Sequence, residues 1–163
     1  MIEVLAGEFT RPTSLPFPVM ALRLLMAILL GGLIGWEREI HARAAGLRTH
    51  MLIALAAACF TLVAVELTDF GASNPEQQRT DPLRLIEAVT AGVAFLAAGS
   101  IVINRGTVKG ITTGASMWLC GAIGLCCGMG DLRLALLATG LALVVLYLIR
   151  QMVAAPPEDD AEA

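Results

Sequence analysis

The side chains with the most varied chemistry are concentrated in one short segment between two long apolar runs. They are mixed in sign and include both histidines of the chain: Glu37, Arg38, Glu39, His41, Arg43, Arg48 and His50. Such a segment is typical of a solvated loop that sets membrane topology, and equally of a docking surface on which alternating charge gives a partner its register. Both interpretations stay open. Because the only two histidines lie here, the pattern does not favour acid–base catalysis.

Two further ionisable residues, Arg23 and Glu87, lie within apolar runs, about one helical turn from an end. A charge at the centre of a membrane helix costs about 2.5 to 3.5 kcal/mol, so such residues normally have a partner or a function. We predict a structural pair at the membrane rim, unless each side chain extends to the headgroups separately. Arg84, one turn from Glu87, is a local alternative partner. An ion path lined by Glu87 is the functional alternative.

No pattern in the sequence indicates a cofactor or a metal site. Cys59, Cys120, Cys126 and Cys127 lie in apolar runs without histidine or carboxylate neighbours, as small buried side chains do. Magnesium or calcium transport would need several converging oxygen ligands, which one carboxylate at membrane depth supplies only in an oligomer or together with backbone carbonyls. Phosphate-binding loops, nucleophile elbows and metalloprotease motifs are absent from the sequence. We therefore predict a protein that is not an enzyme and has no cofactor.

The composition indicates that these residues are positioned by membrane helices. Of the 163 residues 57% are hydrophobic and 15% are charged, and the mean hydropathy is +0.77. Crossing a bilayer takes roughly 20 apolar residues, and five runs approach that length: 19–36, 49–65, 85–103, 111–128 and 134–149. The predicted fold is an all-α, polytopic bundle of five transmembrane helices in the lipid bilayer. A net charge of −3 without a basic cluster argues against nucleic acid as a partner, and we predict none.

The distribution of basic residues predicts the orientation of the chain. Six basic residues lie in the connections on one side of the predicted membrane helices. Four lie on the opposite side, together with seven acidic residues. Since cytoplasmic loops are enriched in Lys and Arg, we predict that the N-terminus is outside and the C-terminus inside. Residues 1–18 are then an external segment, 19–150 the transmembrane domain and 151–163 a disordered acidic cytoplasmic tail. The N-terminus lacks the basic start of a signal peptide.

Local signals predict where the helices begin and end. Asp81 can cap the third helix with Pro82 in its first turn, and Thr49 can cap the second. Gly46 can close a charged extension of the first helix over residues 37–45. The segment 66–80 has no periodic pattern of apolar residues and is predicted to be the long external loop.

Small residues are concentrated in the third and fourth runs, and glycines recur four apart. In lipid, helices associate by close backbone approach at such residues. We predict that packing within the chain uses Gly31, Gly35, Gly114, Gly121, Gly124 and Gly128, with a dimer interface as the alternative.

Four blocks, in this order, resemble the MgtC/SapB family of bacterial inner-membrane proteins: residues 31–39 (GGLIGWERE), 45–50 (AGLRTH), 91–99 (AGVAFLAAG) and 109–114 (KGITTG), the last continuing to Trp118. The resemblance covers roughly residues 22–130. Positions that match the family pattern are Glu37, Arg38, Gly46, Leu47, Arg48, Thr49, Gly92, Phe95, Leu96, Gly99, Lys109, Gly110, Thr113 and Trp118. Glu39, Glu87 and Thr112 complete the candidate functional residues.

The resemblance implies a multi-pass protein of the bacterial cytoplasmic membrane that acts in magnesium homeostasis and stress adaptation, and in pathogens in survival inside phagocytes. It implies a regulator of another membrane complex, the ATP synthase being a candidate partner. Ala94 and Ala97 replace two glycines of the family pattern, Thr112 replaces an asparagine, and the soluble C-terminal domain of longer members is missing. These departures indicate the shorter general branch. The alternatives are a magnesium or other ion transporter formed by an oligomer, and a purely structural membrane protein.

Overall fold

The computed structural model describes residues 13–72, 81–104 and 107–153, together with Met1 and Gly7. These residues form five long helices and one two-stranded hairpin: α1 (Phe17–Ile40), α2 (Leu47–Ala72), α3 (Pro82–Gly99), β1 (Val102–Asn104), β2 (Thr107–Lys109), α4 (Ile111–Met129) and α5 (Leu132–Val153). Within the described ranges, three stretches are long and apolar enough to cross a membrane, namely α1, α4 and Leu47–Asp69 of α2. α5 contains the shorter apolar stretch Leu132–Leu148. The prediction of an all-α membrane helix bundle is confirmed.

α4 is the central helix, because it contacts each of the other four helices and is the most buried of the three long apolar ones. Its glycines allow the backbone of α2 to come close. A side chain in place of Gly124 would collide with the carbonyl oxygen of Ala54. A Cβ on Gly128 would lie 2.7 Å from the carbonyl oxygen of Ala58. Contacts this short are available only to glycine, so the two helices pack backbone against backbone.

α1 packs against α2 in the same manner. A Cβ on Gly31 would lie 2.8 Å from the carbonyl oxygen of His50, and one on Gly35 would lie 2.8 Å from the Cα of Leu47. Gly31 and Gly35 are four residues apart and therefore share one face of α1. Helices α1, α2 and α4 thus form a close-packed core.

α3 is attached to this core mainly through α4. A Cβ on Gly114 would lie 3.2 Å from the carbonyl oxygen of Ala97, and one on Gly121 would lie 3.1 Å from Cγ2 of Val93. These distances are tight but longer than those between α2 and α4. Much of α3 remains exposed on the outside of the bundle.

The connection between α1 and α2 differs from the sequence prediction. α1 ends at Ile40, and Ala42 follows with a positive φ of 48°, so the predicted helical extension over residues 37–45 is wrong beyond residue 40. α2 begins at Leu47, whose N–H donates to Glu39 Oε2 over 2.9 Å. Thr49 lies inside the helix and the prediction that it caps α2 is wrong, because a carboxylate eight residues before Leu47 takes that role.

α2 also continues past its predicted end at Val65, as far as Ala72. The carboxylate of Glu66 accepts hydrogen bonds from the N–H and the hydroxyl of Ser14, over 3.0 and 2.7 Å. This contact ties the last turns of α2 to the segment before α1. The predicted loop therefore starts later than residue 66, and its residues 73–80 lie outside the described part of the chain.

The third run does not remain helical to residue 103. α3 ends at Gly99, and the chain forms an antiparallel hairpin in which Val102 is opposite Lys109, Ile103 opposite Val108 and Asn104 opposite Thr107. Apolar β-branched residues satisfy a helical and a strand pattern equally well over so short a run. The hairpin returns through Gly110, whose φ of 94° favours glycine.

The other helix boundaries agree better with those predicted from the sequence. Asp81 caps α3 by accepting from Leu83 N–H over 3.0 Å, as predicted. α4 covers the fourth predicted run and ends at Met129, and the next residue, Gly130, has a φ of 90°. α5 begins two residues before the predicted run and includes residues 151–153, which the sequence placed in the tail. Residues 154–163 lie outside the described part.

Candidate functional site

A cluster of polar side chains lies where α1 ends and where α2 and α4 begin. We call this the hairpin end of the bundle, because β1 and β2 connect α3 to α4 there. The members of the polar cluster are Glu37, Arg38, Glu39, His41, His50, Thr113 and Ser116. Five of them come from the charged segment that the sequence singled out, and Thr113 is a candidate residue at the start of the fourth run.

Arg38 is inside the bundle, with only 4% of its surface exposed. Its Nε donates to Glu37 Oε2 over 2.5 Å, and the Glu37 side chain is also mostly covered. His41 Nδ1 donates to the backbone carbonyl of Glu37 over 2.6 Å and lies 3.2 Å from Glu37 Oε1. A buried ion pair depends on such additional hydrogen bonds to offset the loss of hydration. The sequence interpretations placed Glu37 and Arg38 in a solvated or docking segment, whereas the structure places them in the interior.

Glu39 connects α1 to the start of α2. Its Oε2 accepts from the N–H of Leu47, one of the helix N–H groups that have no partner within the helix. A side chain in place of Gly46 would collide with this carboxylate oxygen. The position of the Glu39 carboxylate therefore depends on the absence of a side chain at residue 46.

His50 joins the start of α2 to α4. The ring is fully buried, its Nδ1 lies 2.7 Å from the carbonyl oxygen of Gly46, and its Nε2 lies 2.9 Å from Ser116 Oγ. Since a carbonyl only accepts, Nδ1 carries the hydrogen, and in the neutral ring Nε2 accepts from the Ser116 hydroxyl. Ser116 Oγ is also 2.8 Å from the carbonyl oxygen of Thr113. The single proton of the serine hydroxyl thus lies between two acceptors, His50 Nε2 on α2 and the Thr113 carbonyl on α4, and is shared between them.

The remaining candidate residues are distributed differently. Arg48, Lys109 and Thr112 are exposed near the hairpin end, and Trp118 is exposed about two turns into α4. Thr49 is half-buried and Thr113 is buried. Gly110 approaches α3 so closely that a Cβ would collide with the carbonyl oxygen of Ser100. Glu87, Gly92 and Gly99 are exposed on α3 and do not join the polar cluster.

Arg23 and Glu87 do not pair. Arg23 Nη1 donates to the carbonyl oxygen of Gly128 over 2.7 Å, at the last turn of α4, whereas Glu87 is exposed on α3. The predicted pair at the rim is therefore wrong. The last carbonyls of a helix have no partner within the helix and carry the negative end of its dipole, so they accept from a cation favourably.

Sequence reasoning missed Ser116 and the pairing of His50 with it. The two residues are 66 positions apart, and no spacing rule connects positions on different helices. The only available signal was the polar pair Thr113 and Ser116, one turn apart in an otherwise small and apolar run. In the described residues no group of three or more His, Cys, Asp and Glu side chains converges as a metal site would require.

The sequence model of the MgtC family matches residues 24–155, which is most of the chain. The chain belongs to the MgtC family. Among its relatives, protein MgtC of Salmonella typhimurium is 39% identical over 137 residues, which are 84% of this chain and 54% of that protein. YhiD of Escherichia coli K12, named a "putative magnesium transporter", is 34% identical over 134 residues, 80% of this chain and 60% of the relative. An uncharacterized protein of Haemophilus influenzae is 35% identical over 127 residues, which are 77% of this chain and 53% of that protein.

The chain thus spans somewhat more than half the length of these curated relatives. No solved structure matches. Three of the four blocks that resemble the MgtC family meet at the hairpin end, where 31–39 closes α1, 45–50 opens α2 and 109–114 opens α4. The block 91–99 forms the second half of α3 and leads into the hairpin. The MgtC family pattern therefore describes one end of the bundle together with one outer helix.

Proposed function

We propose that this protein is a regulator that acts by binding another membrane protein complex during adaptation to low magnesium or a related stress. Membership of the MgtC family supports the link to magnesium, since the relative YhiD is named a "putative magnesium transporter". We place it in the bacterial cytoplasmic membrane as a multi-pass protein. The ATP synthase, implied by the family resemblance, is a candidate partner.

One observation carries the proposal: the helix glycines fall into two groups with opposite surroundings. Those of α1 and α4 are pressed against neighbouring helices, as Gly31 and Gly124 illustrate. Gly92 and Gly99 of α3 have no atom within 4 Å of the position that a Cβ would take, counting atoms outside their own helix. The first group is explained by packing within the chain. The second has no packing role inside this bundle.

The outer face of α3 has the composition of a helix–helix contact and not of a lipid contact. Its inner face buries Val89 and Val93 against the bundle. The opposite face consists mainly of small residues around one aromatic side chain: Ala88, Ala91, Gly92, Phe95, Ala98 and Gly99. Because leucine gains little by moving from lipid to protein, small residues and their close approach are what favour helix association. Phe95, 79% exposed, would lie in such a contact.

α5 provides the contrast within the same molecule. Its exposed side chains are large and aliphatic, as Leu136, Leu137 and Leu141 show. Its single glycine, Gly140, is as open as Gly92 and Gly99. An open glycine among leucines has ordinary lipid surroundings, so Gly140 serves as a matched control for the glycines of α3.

The experiment is affinity capture of the tagged protein after crosslinking in cells grown at low magnesium. The variants Gly92→Leu and Gly99→Leu are expected to lose a stoichiometric membrane partner while their amounts in the membrane are unchanged, because leucine prevents close approach. Gly140→Leu is expected to retain the partner. If all three variants retain it, or if the wild-type protein captures no membrane protein, the proposal is wrong.

Ion transport is the second candidate, motivated by the name of the Escherichia coli relative and by the exposed carboxylate of Glu87 at one end of α3. The protein would be reconstituted in sealed vesicles that contain a magnesium-sensitive dye. Magnesium entry that is abolished by Glu87→Gln would support transport. Absence of entry, together with capture of a partner, would support regulation.

A further inference from the structure

We propose that the hairpin end of the bundle binds anionic phospholipid headgroups, with the β-hairpin seated at the boundary between headgroups and acyl chains. This goes beyond the regulatory role and does not depend on it. The surface consists of three cations, Arg43, Arg48 and Lys109, and three aliphatic residues of the hairpin, Val102, Ile103 and Val108.

The first observation is that the carboxylates of this end are engaged internally whereas the cations are not. Glu37 is occupied by Arg38 and His41, and Glu39 accepts from the N–H of Leu47. The three cations of the proposed surface are all exposed, and within the described ranges none of them has a carboxylate at ion-pair distance. Because Glu37 and Arg38 compensate each other, the three exposed cations outnumber the one exposed carboxylate, Glu39, and this end has a net positive charge among the described residues.

The opposite end of the bundle has a different balance. Asp69, Asp81 and Asp131 are exposed there beside Arg84 and Arg133. An anionic lipid surface, which attracts basic residues within about a Debye length, would favour the hairpin end over this one. The difference between the two ends also supplies the control for the test.

The second observation is the exposure of the hairpin. Ile103 and Val108 are opposite each other in the ladder, with 74% and 47% of their surface exposed, and Val102 is 59% exposed opposite Lys109. A two-stranded hairpin is only marginally stable by itself in water. Aliphatic side chains of this exposure require cover by lipid or by protein.

The two observations together favour lipid as the cover. The hairpin begins three residues after the end of α3 and ends immediately before Gly110 and α4, so it lies at the level where the apolar helices of a membrane bundle meet the headgroups. Val102 and Lys109 are paired across the two strands. Apolar side chains next to unpaired cations are the composition of segments that lie in a membrane interface and favour anionic lipids.

The first test measures lipid binding to the full-length protein in nonionic detergent by native mass spectrometry. The probes are phosphatidylglycerol and phosphatidylcholine with the same acyl chains. Phosphatidylglycerol is expected to bind more tightly, and the double variant Arg48→Gln, Lys109→Gln is expected to lose about fivefold in affinity for each cation removed. The matched variant Arg84→Gln, Arg133→Gln is expected to bind like the wild type.

Three outcomes of this test would overturn the proposal. They are equal binding of the two lipids by the wild type, an equal loss in both double variants, and displacement of the lipid by inorganic phosphate at the same concentration. The last would assign the cations to a free anion and not to a headgroup.

The second test locates the hairpin. In a Trp36→Phe, Trp118→Phe background, the fluorescence of Val108→Trp is measured in vesicles of phosphatidylcholine and phosphatidylglycerol. Lipids brominated on the acyl chain are expected to quench it strongly, and aqueous acrylamide only weakly. Quenching by acrylamide without quenching by brominated lipid would place the hairpin in water and contradict the proposal.

Discussion

His50 Nε2 lies 2.9 Å from Ser116 Oγ, and this contact joins residues of α2 and α4 that are 66 positions apart. Through Nδ1 the same ring binds the carbonyl oxygen of Gly46, directly before α2. The segment that connects α1 to α2 is therefore linked to the central helix by one buried side chain. In surroundings with little water such a hydrogen bond is valuable mainly because its loss leaves a buried polar atom without a partner.

Replacement of Ser116 by alanine is expected to lower the free energy of unfolding by about 1 to 3 kcal/mol, since Nε2 of His50 would remain buried and unsatisfied. The measurement is reversible unfolding in mixed micelles. Thr68→Ala is the control, because Thr68 Oγ1 donates to the carbonyl oxygen of Ala64 at an exposed position. Equal effects of the two substitutions would show that the His50 contact contributes nothing specific.

The contact between Gly46 and Glu39 can be tested by a double-mutant cycle. Gly46→Ala is expected to displace the Glu39 carboxylate and to lose its hydrogen bond to Leu47 N–H, which costs about 0.5 to 2 kcal/mol as for other helix caps. Glu39→Ala removes the same bond. In the Glu39→Ala background the substitution of Gly46 is therefore expected to cost less. Fully additive effects would contradict the contact.

Gly124→Ala is expected to destabilise the protein by about 1 to 3 kcal/mol, because its Cβ would collide with the backbone of α2 at Ala54 and the helices would have to separate. A Cβ at residue 140 would have no atom of another element within 4 Å. Gly140→Ala is therefore expected to be neutral or stabilising, since alanine has a higher helix propensity than glycine. Unfolding in mixed micelles compares the two. A tolerated Gly124→Ala would mean that α2 and α4 are farther apart than the structure shows.

Arg23→Gln is expected to destabilise the bundle by about 1 kcal/mol through the weakened hydrogen bond to the carbonyl oxygen of Gly128 at the end of α4. Glu87→Gln is expected to leave the free energy of unfolding unchanged, since Glu87 is exposed on α3. If the two substitutions cost the same and the double variant costs no more than either, Arg23 and Glu87 are paired after all.

The predicted orientation can be checked with alkaline phosphatase fusions, which are active only outside the cytoplasmic membrane. A fusion after Lys109 is expected to be inactive and one after Asp131 active, because the hairpin end carries the unpaired cations and cytoplasmic loops are enriched in basic residues. The reverse pattern would invert the topology without changing the bundle.

Several features of the fold follow from local sequence. Long apolar runs predicted the helices, because a hydrocarbon layer requires continuous apolar surface and internally satisfied backbone. Asp81 before Pro82 predicted the start of α3, since a cap acts on the two or three residues that follow it. The prediction that residues 101–103 are helical was wrong. A few β-branched residues are compatible with a helix or a strand, and here the pairing of 102–104 with 107–109 makes them a strand.

The candidate site was only partly predictable. The sequence indicated that Glu37 and Arg38 are important through the MgtC family pattern, but a charged segment is by composition a surface feature, and nothing local showed that Arg38 is buried. The spacing of Gly31 and Gly35 indicated a close contact on one face of α1 but not which helix would be in contact.

By itself the sequence determined that this is a membrane helix bundle of the MgtC family, because hydrophobic length, caps and motif blocks are properties of neighbouring residues. Only the tertiary structure decided which glycines are buried between helices and which lie open on α3. It also decided that His50 binds Ser116 and that Arg23 binds the end of α4. These are contacts between distant parts of the chain, and they depend on the relative placement of helices, which no local pattern specifies.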